Sequence, residues 1–171
     1  MTEQENNKYT KHLFSIIENQ EGTFQIENWI KLGADVNGRN SEGKTPLMMA
    51  VKAREYKIAE FLVEKGARVD QVYSDSSALI DLVSNEPDDR YDLPLVELLI
   101  KAGADVNIKT ENGLTPLLIA VKKRLINITE ALLKAGADIN AVDSSGRIAK
   151  DIAHEQNKII EGLIDSIMGK R

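Results

Sequence analysis

Apolar residues recur at helical spacing along most of this chain. Ile58, Phe61 and Leu62, and again Ile128, Ala131 and Leu132, fall at i, i+3 and i+4, the stripe of a helix that buries one face. Ile160, Leu163, Ile164 and Ile167 continue the pattern toward the C-terminal end. The segment 113–140, GLTPLLIAVKKRLINITEALLKAGADIN, carries the whole plan: a loop, a short helix, a turn, a second helix and an exit loop. Thr45 and Thr115 stand where a hydroxyl caps the free N–H groups of the first helix. Pro46 and Pro116 follow in its first turn, where the missing N–H costs nothing. Gly33, Gly66, Gly103 and Gly136 follow the second helix, where a left-handed residue ends it.

The plan repeats. GADVN at Gly33 returns as GARVD at Gly66, GADVN at Gly103 and GADIN at Gly136, at spacings of 33, 37 and 33 residues. GKTPLMMA at Gly43 returns as GLTPLLIA at Gly113, and in weaker form at Asp75 and Gly146. A period of about 33 opening on Thr-Pro-Leu resembles the ankyrin repeat proteins. The resemblance implies an all-α ankyrin repeat solenoid of about five helix-turn-helix units with β-hairpin-like tips. A unit of this kind cannot bury its apolar face alone, so the stack is the fold. One repeat domain over 1–171 is expected, with units at 8–37, 38–70, 71–107, 108–140 and 141–168, the first and last acting as caps.

The departures from the repeat are as informative as the matches. The first unit lacks Thr-Pro-Leu, and its helices are expected at 8–19 and 23–32, with Trp29 in the core beside Ile26 and Ile30. Arg54-Glu55 and Arg124-Leu125 stand where the family usually has Gly-His between the helices. In the third unit Ser77-Ala78-Leu79 replaces Thr-Pro-Leu. The third unit also carries an insertion, EPDDRYD, at 86–92: Leu82 to Leu95 takes 13 steps where Ala50 to Ile58 takes 8. Pro87 and Pro94 bracket it and imply an ordered loop. In the fifth unit Ile148-Ala149-Lys150 takes the Thr-Pro-Leu place, and Lys150, Asp151, His154 and Glu155 make its first helix polar.

Composition narrows the classes. Aromatic residues are 5% of the chain, so the core must rest on Leu, Ile, Val and Ala. The net charge of −5 argues against nucleic acid as a partner. The absence of cysteine excludes disulfides, thiolate catalysis and Cys-ligated metals. The polar start MTEQENNKYTKH has no apolar core of a secretory signal, and no apolar run approaches a membrane span. A soluble, cytoplasmic, monomeric protein is the expectation. Residues 70–102 carry eight acids and two bases, whereas 103–135 carry five bases and three acids. Two readings of this asymmetry stand side by side. Glu86, Asp88 and Asp89 pair with Lys122, Lys123 and Arg124, or the insertion faces a partner.

Several patterns invite chemistry. Residues 38–45, GRNSEGKT, fit the phosphate-binding loop G-x-x-x-x-G-K-[ST]. That loop needs a buried strand before it, and here a repeat exit loop precedes it, so the expected reading is a hairpin tip. His12 and His154 lie at opposite ends of the array and are read as surface residues. Asn127-Ile128-Thr129 is a glycosylation sequon read as inert. Asn37, Asn107 and Asn140 are read as bonding the exit turn. No catalytic residue, cofactor or metal ligand is assigned.

The resemblance implies a binding module, an adaptor or an inhibitor, that grips another protein through a groove of hairpin tips and first helices. Carried onto this chain, the partner-binding positions are Glu42, Lys44, Lys52, Tyr73, Ser74, Ser76, Asn85, Tyr91, Glu111, Asn112, Leu114, Lys122, Lys123 and Arg147. Tyr73 and Leu114, on adjacent tips, are expected to be exposed and to form one apolar patch reaching toward Tyr91. The alternatives are a host-directed bacterial ankyrin effector and a nucleotide-binding enzyme using 38–45.

Overall fold

The computed structural model describes residues 3–20, 22–74 and 76–169. The chain divides into two compact units, 1–73 and 74–171. The first holds α1 (Glu3–Glu18), α2 (Thr23–Lys31), α3 (Pro46–Lys52) and α4 (Tyr56–Glu64). The second holds α5 (Ala78–Ser84), α6 (Leu93–Lys101), α7 (Pro116–Lys122), α8 (Ile126–Lys134), α9 (Ala149–Gln156) and α10 (Lys158–Met168).

In the first unit α1 packs on α2 and α3 on α4, and the pairs stack with α1 against α3 and α2 against α4. Leu13, Ile17, Ile26, Leu47 and Leu62 fill the space between them. In the second unit the pairs are α5–α6, α7–α8 and α9–α10. Their first helices form the row α5–α7–α9 and their second helices the row α6–α8–α10. Leu79, Leu95, Leu99, Leu117, Ile128, Leu132 and Ile160 are sealed between the rows.

Helices of seven residues do not persist alone, so α3, α5 and α7 depend on packing and on their ends. Thr45 Oγ1 accepts from Met48 N–H at 3.2 Å, and Thr115 Oγ1 accepts from Leu118 N–H at 3.3 Å. Ser77 does the same for Ile80 at 3.3 Å, so the third unit keeps the cap although it lacks the proline. At α9 the N-cap is Ile148, which has no oxygen on its side chain. Asp151 Oδ2 compensates by accepting from Ile148 N–H at 3.0 Å.

The exit turns tie neighbouring repeats together. Gly66 and Gly136 both sit at φ 88°, a region that costs other residues about 1–2 kcal/mol. Asn37 Oδ1 accepts from Arg68 N–H at 2.7 Å while its amide donates to Gly66 O at 3.1 Å. Asn107 Oδ1 accepts from Asp138 N–H at 2.7 Å. These asparagines therefore bond the exit turn of the next repeat.

Two expectations change. α1 begins at Glu3 instead of residue 8, because no proline or glycine interrupts residues 3–7. Trp29 is half-buried instead of core. Ile26 takes the sealed position facing α1. Trp29 closes the rim of that seam, stacked on His12 at 4.5 Å and tilted against Tyr9 at 5.8 Å.

Candidate functional site

The hairpin tips at 40–44, 110–114 and 143–147 are turns each closed by one polar side chain at the start. In the first unit that residue is Asn40, whose Oδ1 accepts from Glu42 N–H at 3.0 Å and Lys44 N–H at 2.9 Å. Gly43 N–H donates to Asn40 O at 2.9 Å and Asn40 N–H to Lys44 O at 3.0 Å. Arg39 clamps the tip from the side. It donates to Gly43 O at 2.7 Å, to Gln71 Oε1 at 2.7 Å and to Val72 O at 3.2 Å. The ring of Tyr73 then lies on Gly43, where a Cβ would sit 2.5 Å from two ring carbons. A Cβ at Gly38 would likewise meet Thr10 Cγ2 at 2.6 Å.

This geometry accounts for GRNSEGKT without phosphate. Both glycines permit close packing, the amides of Asn40, Glu42, Gly43 and Lys44 donate within the turn, and Gly38 N–H donates to Asp35 O of the exit loop before it. A phosphate loop presents those amides outward instead. Lys44 Nζ pairs with Glu42 Oε2 at 2.8 Å.

In the second unit the tip at 110–114 is closed by Thr110, whose Oγ1 accepts from Leu114 N–H at 3.1 Å. No group outside the turn would lie within 4 Å of a Cβ at Gly113. Glu111 and Asn112 are exposed and Leu114 is half-buried. The last tip is closed by Asp143, whose Oδ1 accepts from Ser145 N–H at 2.9 Å and Arg147 N–H at 3.1 Å. Its Oδ2 takes Lys122 Nζ at 3.0 Å and Arg147 Nη2 at 3.1 Å, with the Asp143 side chain 1% exposed. The Lys122 ammonium, helped by the Arg147 and Ser145 amides, holds this carboxyl far below the usual carboxylate range against the opposing effect of burial.

The insertion is a built turn. Asp88 Oδ1 accepts from Arg90 N–H at 3.0 Å and Tyr91 N–H at 2.8 Å, and Asp92 Oδ2 accepts from Asp88 N–H at 2.8 Å. Asp92 is fully buried. Asp89 reaches across to the next repeat. Its Oδ2 accepts from Asn127 N–H at 3.0 Å and Asn127 Nδ2 at 2.9 Å, and its Oδ1 from Ile128 N–H at 2.9 Å. The N-cap of α8 is Leu125, with no capping side chain of its own. Asp89 thus caps α8 from outside, where the free N–H groups and the helix dipole both favour a carboxylate.

Of the two readings of the insertion, its internal pairing with the basic cluster is not what these contacts show. Asp89 goes to the N-terminus of α8, and Lys122 goes to Asp143. Backbone donors that lack any other partner hold a carboxylate more strongly than exposed ammonium groups do. The sequon is also absorbed into structure: the Asn127 amide bonds Asp89, and Thr129 is fully buried, its hydroxyl without a partner among the described residues.

The other sequence-predicted positions sort by exposure. Lys52, Ser74, Asn85, Lys123 and Tyr91 are exposed, Tyr91 to 66%. Ser76 is half-buried and donates to Asp81 Oδ1 at 2.6 Å. Arg147 braces Glu155 at 3.5 Å as well as Asp143. Tyr73 is half-buried on Gly43 instead of freely exposed, because the glycine leaves a flat place for its ring. Tyr73 lies in the first unit and Leu114 in the second. Asp89 and Asp143 were not singled out. Asp143 had a signal, since it occupies the place of Asn40 and Thr110 in the repeat. Asp89 had a fainter one, an acidic insertion ahead of a helix start without a cap. His154 pairs with Glu161 at 2.7 Å.

A family model for ankyrin repeats, three copies, matches residues 4–73 and 79–170. The chain belongs to the ankyrin repeat family. Among its relatives is the B-cell lymphoma 3 protein homolog of Mus musculus, 36% identical over 101 residues, covering 58% of this chain and 21% of that protein. Ankyrin repeat protein FPV022 of fowlpox virus is 34% identical over 94 residues, covering 55% of this chain and 15% of the viral protein. An ankyrin repeat-containing protein of Treponema pallidum is 30% identical over 109 residues, covering 61% of this chain and 34% of the bacterial protein. The chain thus spans no more than about a third of these relatives' lengths. In this ankyrin protein the family match breaks over 74–78, in the third repeat. Among the described residues no helix is long and apolar enough to cross a membrane.

Proposed function

We propose that this ankyrin chain is a non-catalytic module that binds another protein through its hairpin tips and first helices. The observation behind this reading is a contrast within the repeat. Leu47, Met48, Ala50 and Val51 are buried in α3, and Leu117, Leu118, Ala120 and Val121 are buried in α7. Packing accounts for that likeness. The exposed tip positions follow no such rule: Ser41-Glu42, Glu111-Asn112 and Ser144-Ser145 differ in size and charge. Surface loops on a rigid frame that vary while the frame repeats are suited to recognition. The family's role in protein–protein association supports the same reading, and the internally bonded amides of 38–45 argue against the enzymatic alternative.

Affinity capture from the native cell, with the full chain as bait, tests this. Substituting Glu111, Asn112 and Ser144 together with Arg should remove a protein that the unaltered chain captures. An outer-face variant, Lys101→Glu with Lys134→Glu, should keep it. Retention by the tip variant and loss by the outer-face variant would contradict the proposal. Calorimetry with Mg-ATP should show no binding; micromolar binding abolished by Lys44→Ala would restore the enzymatic reading.

A further inference from the structure

We propose that Asn112 is a site of spontaneous covalent modification, at which the side-chain amide is lost and the tip at 110–114 comes to carry aspartate or isoaspartate. The chemistry needs an asparagine followed by glycine. The main-chain nitrogen of the second residue gives its proton to hydroxide and attacks the asparagine Cγ, closing a five-membered imide. The bond from Cγ to the amide nitrogen breaks, and ammonia leaves with a proton taken from water. Water then opens the imide at either carbonyl. One opening leaves aspartate. The other leaves isoaspartate, in which the main chain runs through Cβ and Cγ. A Cβ on the second residue would crowd the attacking nitrogen, so glycine favours the step.

Asn-Gly occurs twice in the chain, at 37–38 and 112–113, and the fold treats the two differently. Asn37 is held at both ends of its amide, Oδ1 by Arg68 N–H at 2.7 Å and Nδ2 by Gly66 O at 3.1 Å. Gly38 is wedged in place: a Cβ there would meet Thr10 Cγ2 at 2.6 Å and Asp35 O at 3.2 Å. The Asn37 side chain cannot swing onto the Gly38 nitrogen without giving up both bonds. The Asn112 side chain is exposed and has no hydrogen bond or ion pair among the described residues. Beyond its chain neighbours, nothing lies within 4 Å of a Cβ placed on Gly113. The turn itself restrains the attacking nitrogen, since Gly113 N–H donates to Thr110 O at 2.8 Å and Leu114 N–H to Thr110 Oγ1 at 3.1 Å. Surface turns open locally far more often than the whole fold does. Each opening frees the Gly113 nitrogen to reach a side chain that has no bond to lose. Either product sets a carboxylate beside Glu111. On the reading that the tips bind a partner, this alters the binding surface as the protein ages. The chemistry needs no partner and is read on the chain alone.

The full chain is aged at mildly alkaline pH, folded or in concentrated urea, and its tryptic peptides are compared by mass spectrometry. Cleavage after Lys31, Arg39, Lys109 and Lys122 separates the two sites into peptides 32–39 and 110–122. In the folded chain Asn112 should convert at least about tenfold faster than Asn37, and in urea the two rates should converge. Thr110→Ala, which removes the hydroxyl that closes the tip, should quicken conversion at Asn112 severalfold. Gly113→Ala should slow it severalfold, and neither variant should change the rate at Asn37. Circular dichroism checks that each variant keeps its helices. Isoaspartate is recognised by its own methyltransferase, which esterifies the new free carboxylate with the methyl group of S-adenosylmethionine. With that enzyme and labelled S-adenosylmethionine, label should enter peptide 110–122 of the aged chain. Equal rates at the two sites in the folded chain, or a difference that persists undiminished in urea, would overturn the proposal. Loss of the amide at Asn112 with no methyl label would overturn the imide route in favour of direct hydrolysis.

Discussion

The turn at 53–55 and the turn at 85–92 do the same job in different repeats, linking the first helix of a pair to the second. The short turn uses Arg54 at φ 58°, with Glu55 N–H returning to Ala50 O at 2.9 Å, and it gives α4 no capping side chain. The turn at 123–125 copies it, with Arg124 at φ 60° and Leu125 N–H on Ala120 O at 3.0 Å. The inserted turn is longer, is bonded within itself, and sends Asp89 to cap the helix of the following repeat. The insertion couples two repeats and carries exposed side chains that stacking does not use. Regularity in this chain thus builds the frame, and the departure from regularity is where individuality enters.

Several substitutions break or sharpen this contrast. The largest effect belongs to the frame. Leu132→Ala, at a fully buried position, should cost roughly 2–5 kcal/mol in chemical denaturation. Next is Asp89→Ala, which removes the outside cap and leaves three donors without their carboxylate. It should cost roughly 2 kcal/mol, whereas Glu55→Ala, at the uncapped start of α4, should cost under about 0.5 kcal/mol. If both changes cost the same, the insertion contributes nothing that a short turn lacks. Arg124→Gly should raise stability by about 0.5–1 kcal/mol, since glycine accepts the left-handed conformation without strain. The smallest effect is Lys134→Ala, an exposed residue paired with Glu130 at 2.7 Å, at under about 0.5 kcal/mol.

Acid should act on the second unit through Asp143. Its carboxyl is held below the ordinary value in the fold, so its contribution is present above the unfolded pKa of about 3.9 and is lost as pH falls further. Asp143→Asn should remove that part of the acid sensitivity, measured as denaturation midpoint against pH.

Much of this was legible in the residues. The stripes, the Thr45 and Thr115 caps and the turn glycines follow from local rules, and local rules specify a repeat because each unit meets mainly its neighbours. The length and place of the insertion could be read from register alone. Its bonds could not. The residues offered the acids of 86–92 either the cationic groups at 122–124 or a partner, and the bare amides of α8 took Asp89 instead. Seeing that needs the direction of the chain at Asp89. Tyr73 was misjudged for a similar reason, since only the fold shows that Gly43 lies under its ring. Asp143 was legible and passed over: aligning the tips puts Asn40, Thr110 and Asp143 in one column.

The claim that the insertion is fastened to the next repeat is tested most directly by amide hydrogen exchange at the starts of α4 and α8. The amides of Asn127 and Ile128 should exchange much more slowly than those of Lys57 and Ile58, their counterparts in the repeat, and Asp89→Ala should abolish the difference while the interior of α8 stays protected. Equal exchange at the two helix starts in the unaltered chain, or protection at Asn127 and Ile128 that survives Asp89→Ala, would contradict it.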